Sequence, residues 1–356
     1  MRISAIKSVL VNKRLPWFVV SRIRKARNSY HYFRNKVCNY FQEESGCNKI
    51  ITFKCGFHGD TGATSAIANI ANLLANKYHV EFVTYPSSNF NKLLDKEVHL
   101  VNRPNKMSDL YICDIVCEHS FYEEIKRSEK KLIITCHGLL NELHGNIAPE
   151  YLKKSLEFSD KVHFVSFIQQ ESFQLDEGTY EVIPNTTKQV TKKIQTNNVG
   201  SVGNLDDERK NADASVKISL QSNANAIHLW SVENDNWNNE KVIVHEWEPD
   251  KNKIYNSFDV LVFMSRSETF GLVVIEAMSA GLPCLLSPIP VFEQFLDCPG
   301  VVIADPNDKD TPKILDDLLK NKEQLRSSII QYFNKTYSGP AISEKWFNFI
   351  SNVIDN

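Results

Sequence analysis

The sequence predicts an α/β protein of two Rossmann-like halves that face a central cleft, preceded by an extra basic N-terminal segment. Three stretches carry that prediction. FDVLVFMSRSETFGLVVIEAMSAGLPCLLS, from Phe258 to Ser287, reads as an apolar strand, a polar turn, a helical apolar pattern and a second apolar strand. NKIITFKCGFHGDTGATSAIANIANLLANKYHVEFVTYP, from Asn48, reads as strand, glycine-rich turn, helix and strand. VGSVGNLDDERKNADASVKISL, from Val199, opens a further strand, turn and helix. Unbroken apolar runs such as VLVFM suit strands covered on both faces, and strands alternating with helices build parallel sheets.

At 356 residues the chain can supply two domains of ordinary size. Its 42% hydrophobic and 24% charged residues match a soluble globular protein, and a formal net charge of −2 gives no reason to expect nucleic acid as a partner. Eight cysteines are scattered, several within apolar strand-like runs, which is the pattern of reduced thiols in a cytoplasmic protein rather than a disulfide framework. Cys113 and Cys117 are close in sequence, but no second pair or His cluster completes a zinc site, so no metal is expected. No apolar run reaches the roughly 18 residues of a transmembrane span. Lys7, Lys13 and Arg14 interrupt the apolar stretches that a signal peptide would need.

The extension covers residues 1–46. Between Met1 and Phe41 it carries ten Lys and Arg and no Asp or Glu, mixed with Trp17, Phe18, Tyr32 and Phe33. Such a segment can lie on an anionic membrane surface, each Lys or Arg contributing about 1 kcal/mol, which would make the protein peripheral on the inner face of the cell membrane. The other reading is a helical extension packed on the following domain, with the charges as a solvated face.

The first Rossmann-like domain is expected over 47–187. Gly56, Gly59 and Gly62 lack the acidic partner of the dinucleotide fingerprint, so a nicotinamide cofactor is not expected. They let the backbone approach a ligand at the start of a helix over Ala63–Ala75, or form a tight turn only. Strands over Asp109–Cys117 and Lys131–Cys136 run into Glu118-His119-Ser120 and His137-Gly138. His119 and His137 are therefore site candidates at one sheet edge, against the alternative of satisfied core histidines, and His58 in the glycine turn is a weaker one. Pro184-Asn185 marks a boundary, and the polar run Thr186–Asn198 reads as a linker.

The second domain is expected over 188–330, with a C-terminal helix over 331–356 packing back on the first. Arg209 and Lys210 follow its first strand, where two cations can neutralise a diphosphate or stand in a solvated loop. In the central stretch, Glu268 and Thr269 stand where a strand ends and a helix begins, the place where open α/β sheets bind ligands. Backbone N–H groups around Phe270, Gly271 and Leu272 suit a phosphate there, while Glu268 and Glu276 read by themselves are two carboxylates whose roles can be structural. Asp308 and Asp310 form an Asp-x-Asp in a loop and read as a solvated turn.

Taken together, these residues resemble the retaining glycosyltransferases of the two-Rossmann-domain type, GT-B, and within them the large family four, also called glycosyl transferases group 1. SETFGLVVIEAMSAGLPCLLS keeps that family's pair of glutamates, seven residues between them, as Glu268 and Glu276. DTGATSAIANIANLLA, DIVCEHS, IITCHG, VHFVS and VIPN are weaker matches across Ile50–Ser287. The resemblance implies that Glu268 contacts the donor sugar, that Glu276 contacts the nucleotide ribose, and that N–H groups of Gly271 and Leu272 meet the diphosphate, with His137 at the sugar end. It does not cover residues 1–46. Where the family carries an Arg and a Lys on the diphosphate, this sequence has Asn204 and Arg209, with Lys210 as a substitute cation. SPIPVFEQFL also lacks the glycine-containing turn usual after the signature.

The implied reaction is transfer of a glycosyl group from a nucleotide diphosphate sugar, as donor substrate, to a hydroxyl of a glycan or lipid-linked glycan, with retention, without a metal or other cofactor, in cell-surface polysaccharide synthesis. His137, Glu268 and Arg209 are the expected catalytic residues. Gly62, His119, Lys210, Thr269, Phe270, Gly271, Leu272 and Glu276 are expected to bind the donor. The rival is a glycosyltransferase-like scaffolding subunit impaired in catalysis, which Asn204 favours.

Overall fold

A computed structural model of the chain describes residues 49–355 apart from 57–60, 85–89, 141–142, 144–146, 194, 232–236 and 238. The basic extension and His58 therefore lie outside the described residues. Seven parallel strands form the first sheet: β1 Ile50–Lys54, β2 His79–Val83, β3 His99–Val101, β4 Leu110–Asp114, β5 Lys131–Thr135, β6 Lys161–Phe164 and β7 Tyr180–Val182, in the order β3-β2-β1-β4-β5-β6-β7. Six more form the second: β8 Val199–Val202, β9 Ile227–Trp230, β10 Val242–His245, β11 Val260–Phe263, β12 Cys284–Leu286 and β13 Val301–Ile303, in the order β10-β9-β8-β11-β12-β13.

Both sheets run outward from their first strand and then return to its other side, so strand order reverses between β1 and β4 and again between β8 and β11. Loops leaving the strands at such a reversal diverge and open a crevice at the carboxyl ends. In the second sheet, the glycine in β8 allows an unusually close crossing: a Cβ on Gly200 would sit 2.2 Å from the Phe258 ring.

The helices that cover the sheets follow the apolar periodicity. Helix α1 (Gly62–Leu74) is capped by Thr61, whose hydroxyl accepts from the Thr64 N–H, and it buries Ile67, Ile70, Ala71 and Leu74 against β1 and β2. Helices α2 (His119–Arg127), α3 (Pro149–Glu157) and α4 (Phe167–Phe173) follow in the first half. Helices α5 (Ala212–Leu220), α6 (Lys251–Asn256) and α7 (Leu272–Ser279) cover the second. Helix α8 spans Thr311–Thr336 and α9 spans Gly339–Ile354. Ile342, Trp346, Phe349 and Ile350 of α9 belong to the core of the first sheet, together with Ile51, Phe53 and Phe82.

The polar run after β7 is buried at alternate places, while Lys188, Gln189, Thr191 and Lys193 are exposed. Thr186, Thr187, Val190 and Lys192 are buried, and the Lys192 ammonium lies 2.9 Å from the Asp259 carboxylate with both side chains nearly inaccessible. The N–H groups of Thr196 and Asn197 donate to the same carboxylate at 2.8 and 2.6 Å. A buried charge needs such a full set of partners, and supplying them straps this segment to the second half. The two halves form one compact unit, Lys49–Asn356. Among the described residues no helix is long and apolar enough to cross a membrane.

Candidate active site

The carboxyl ends of β8 and β11 face those of β1 and β5 across a cleft of about 850 Å³. On its second-half wall, the loop after β8 and the loop after β11 are stitched together by the Arg209 carbonyl, which accepts from Arg266 N–H at 2.7 Å and from the Ser265 hydroxyl at 2.9 Å. This brings the Lys210 ammonium to 2.6 Å from Glu268 Oε1, both side chains being largely buried. Arg209 also lines the cleft, but its guanidinium forks onto the Asp207 carboxylate, at 3.1 Å from Nε to each oxygen and 2.6 Å from a terminal nitrogen to Oδ2. The Arg209 hydrogen bond holds the Asp207 carboxyl below the usual range. Lys210, rather than Arg209, is thus the cation set against Glu268.

Next along the wall, Thr269, Phe270, Gly271 and Leu272 line the cleft where α7 begins. Gly271 is the N-cap residue, at φ +96°, and no side chain caps the helix. A helix end of this kind presents unsatisfied N–H groups and the positive end of its dipole. One turn inside α7, Glu276 is 1% exposed. Its Oε2 accepts from the Tyr255 hydroxyl at 2.6 Å and its Oε1 lies 3.1 Å from the Lys251 ammonium. Lys251 and Tyr255 come from one face of α6, four residues apart. Burial, with the Glu276 charge second, pushes the Tyr255 hydroxyl well above its usual range, so it stays a donor. Asn204 lines the same wall and brings no charge to it.

The first half contributes Thr61, Gly62 and His137. His137 Nε2 lies 3.1 Å from the Thr135 hydroxyl, and burial, aided by His163, pushes the imidazole down to about 3. His137 is therefore neutral at physiological pH. His119 does not line the cleft, contrary to the expectation from the sequence. Strand β4 ends at Asp114 and the turn 115–118 carries the chain off the sheet edge, so His119 begins α2 and stacks on Tyr151 at 3.8 Å. Its Nε2 sits 3.1 Å from the Tyr151 carbonyl and 2.9 Å from the Ser155 hydroxyl. Asp308 and Asp310 stand at the exposed start of α8, where Asp310 pairs with Lys313 at 2.6 Å. Among the described residues no group of three or more His, Cys, Asp or Glu is gathered as a metal ion would require.

This geometry has a family counterpart: the family model described as glycosyl transferases group 1 matches the chain over residues 221–336. That match includes Glu268, the α7 N-terminus and Glu276, and not the β8 loop with Lys210. An O-antigen biosynthesis glycosyltransferase of Escherichia coli, WclY, is 27% identical over 117 residues, 33% of this chain and 32% of that protein. An O-antigen chain mannosyltransferase of Salmonella typhimurium, RfbU, is 36% identical over 81 residues, 23% of this chain and 22% of that protein. The matched region thus spans a third or less of the length of these curated relatives. Among solved structures, Anabaena HepE in complex with UDP-glucose superposes with a TM-score of 0.69 at 14% identity, covering 85% of this chain and 99% of that one. The fold is GT-B, two parallel-sheet Rossmann-like halves.

Several side chains in or behind the cleft did not stand out in the sequence. Lys251 and Tyr255 sit in DKNKIY, whose only local signal is the i, i+4 spacing that puts both on one helical face. Trp230 and Trp247 also line the cleft, and Trp230 is held by its indole N–H on Ser257 at 2.9 Å and by His245 stacked at 3.9 Å. Thr135 and His163 lie within apolar strands, where nothing local separates them from ordinary core residues.

Proposed function

We propose that this protein is a glycosyltransferase that moves a sugar from a nucleotide diphosphate sugar to a hydroxyl of a glycan or lipid-linked glycan in cell-surface polysaccharide synthesis. The observation that carries the reading is the grouping on one cleft wall of the Lys210–Glu268 pair, the uncapped α7 N-terminus and the buried Glu276. A nucleotide diphosphate sugar has the complementary sequence of groups: sugar hydroxyls, two phosphates and ribose hydroxyls. Glu268 would accept from the sugar and Glu276 from the ribose, because a carboxylate offers acceptor sites to neighbouring hydroxyls. Between them, Lys210 and the N–H groups at Gly271 and Leu272 would face the diphosphate.

In the reaction the bond from the anomeric carbon to the phosphate oxygen breaks as negative charge grows on the departing nucleoside diphosphate, and the sugar takes on oxocarbenium character. Lys210 and the α7 dipole would stabilise that departing charge from fixed positions, which needs no reorganisation during the step. The acceptor hydroxyl oxygen bonds to the anomeric carbon and its proton passes to the departing phosphate. The family resemblance implies retention by this route, with no enzymic nucleophile and no metal ion. WclY and RfbU are named for O-antigen synthesis and HepE was solved with UDP-glucose, which supports a nucleotide sugar donor and a polysaccharide product.

The test is turnover of a panel of nucleotide sugars with glycan and lipid-linked acceptors, read as nucleoside diphosphate released, product mass and anomeric configuration. Acceptor-dependent release is the expected outcome, and its absence across the panel would remove this reading. A second reading, a binding or scaffolding subunit impaired in catalysis, is favoured by Asn204, which leaves that wall without the family's arginine. A scaffold would show no thermal stabilisation by any nucleotide sugar. The basic segment 1–46 is proposed to hold the protein on an anionic membrane beside a lipid-linked acceptor. Deleting 1–46 should then release the protein from anionic liposomes in sedimentation, and unchanged partitioning would exclude that role.

A further inference from the structure

Two buried side chains behind His137 decide which of its nitrogens carries the proton. His163, on β6, is fully buried, and its Nε2 lies 2.9 Å from the Ile183 carbonyl. A carbonyl only accepts, so Nε2 carries the proton. Burial pushes His163 down to about 4, so at neutral pH the ring is uncharged and its Nδ1 must accept. The partner of Nδ1, at 2.8 Å, is the Thr135 hydroxyl, which therefore spends its one proton there. What the hydroxyl has left is oxygen lone pairs, and these meet His137 Nε2 at 3.1 Å. His137 must donate through Nε2, and being neutral it keeps no proton on Nδ1. The reverse arrangement would set the bare Nε2 of His163 against the Ile183 carbonyl, lone pair against lone pair. The Trp346 indole of α9, itself fully buried, packs against His163 with ring centres 4.5 Å apart and closes the chain off from behind.

We propose that Thr135 and His163 are positioning residues that hold His137 as the Nε2–H tautomer, so that it meets the transferred sugar as a hydrogen-bond acceptor and selects for a hydroxyl. This rests on the glycosyltransferase reading for the identity of the ligand, though not for the tautomer. A hydroxyl can donate to Nδ1. A carboxylate or carbonyl oxygen at the same place would oppose one lone pair with another, and a deoxy position would leave Nδ1 dry and unpaired. Such a site disfavours the deoxy sugar by about tenfold to a hundredfold in kcat/KM. The expected ligand is a sugar with a free hydroxyl at the position facing His137, and a uronic acid or a deoxy sugar at that position is disfavoured.

The test is ring-nitrogen NMR of the full chain labelled with ¹⁵N-histidine, with the His137 signals assigned by their loss in His137→Gln. At neutral pH the wild type should show His137 Nδ1 unprotonated and Nε2 protonated. Thr135→Ser keeps the hydroxyl and should keep both this pattern and the preference for the hydroxylated donor. Thr135→Val keeps the shape but not the hydroxyl, and should mix the tautomers while bringing the kcat/KM ratio of hydroxylated to deoxy donor towards one. A purely structural role for Thr135 would lower activity on both donors alike. An Nδ1–H or doubly protonated His137 in the wild type overturns the proposal without reference to turnover, as does an unchanged tautomer and donor ratio in Thr135→Val. Failure of UDP-glucose, UDP-N-acetylglucosamine and GDP-mannose to move the Nδ1 resonance or be turned over, with the tautomer as stated, refutes the sugar assignment together with the functional reading and leaves the relay standing.

Discussion

Replacing Glu276 by glutamine separates its two partners within the protein from the one it would have in a ligand. The carboxylate is 1% exposed, with Tyr255 on Oε2 and Lys251 on Oε1. Glutamine keeps the shape, can turn its amide oxygen to Lys251, and can donate its N–H to the Tyr255 oxygen, so no group is orphaned. What it loses inside the protein is the ionic part of the Lys251 pair. Lys251 is 35% exposed, so water screens that pair and the loss is about 1 kcal/mol or less. A chain of 356 residues would then melt lower by no more than about 1–2 °C. What it loses towards the nucleotide is a charge-assisted hydrogen bond to a ribose hydroxyl, about 1.5–3 kcal/mol, or roughly tenfold to 150-fold in affinity. Isothermal titration with the donor, beside the melting curve, measures both. Donor affinity within twofold of wild type in a folded Glu276→Gln protein would refute the ribose assignment.

Lys210→Met removes the cation facing the diphosphate and should lower kcat/KM by about a hundredfold, with Glu268→Gln non-additive because the two groups touch at 2.6 Å. Additive losses in that double-mutant cycle would show that the pair does not act as a unit. Gly271→Ala should destabilise by about 1–2 kcal/mol, because φ +96° is unfavourable for a residue with a Cβ and that Cβ would lie 3.0 Å from the Phe292 ring; an unchanged melting temperature contradicts this. Acid should destabilise the fold between pH 6 and 4. His163 and His228 are held down to about 4, so the unfolded chain takes their protons first as pH falls. Asp114 is pushed up to about 6, chiefly by burial, so the folded chain takes that proton first and offsets one of the two. The net is about 1.4 kcal/mol lost per pH unit, to which His137 adds in the same direction. A melting temperature that rises on acidification across that window would overturn the account.

The alternation of strands and helices, and the signature from Glu268 to Glu276, were legible because both are local. Burial on two faces requires unbroken apolar strands, and a strand–turn–helix places its polar residues at one sheet edge wherever it occurs. Thus the two halves, the start of α7 at Gly271 and the presence of Glu268 and Glu276 on one wall follow from residues close in the chain. His119 failed the same reasoning by four residues of turn, since one extra bend after a strand end decides whether a side chain enters the cleft or packs behind it.

Pairings between distant residues have no local signal, and these only the tertiary structure decided. Arg209 and Lys210 are indistinguishable in the sequence as neighbouring cations. Arg209 turns to Asp207 and Lys210 to Glu268 because the β11 loop is stitched to the carbonyl of Arg209, 56 residues before Ser265. Lys251 and Tyr255 become partners of Glu276 only when α6 packs beside α7. The proton on His137 is set by Ile183, through His163 and Thr135, on three adjacent pieces of one sheet. Residue types and their periodicity determine which elements form and which chemistry is on hand. Which groups then meet depends on chain closure over tens of residues, and hydrogen-bond donors and acceptors are matched in space rather than along the sequence.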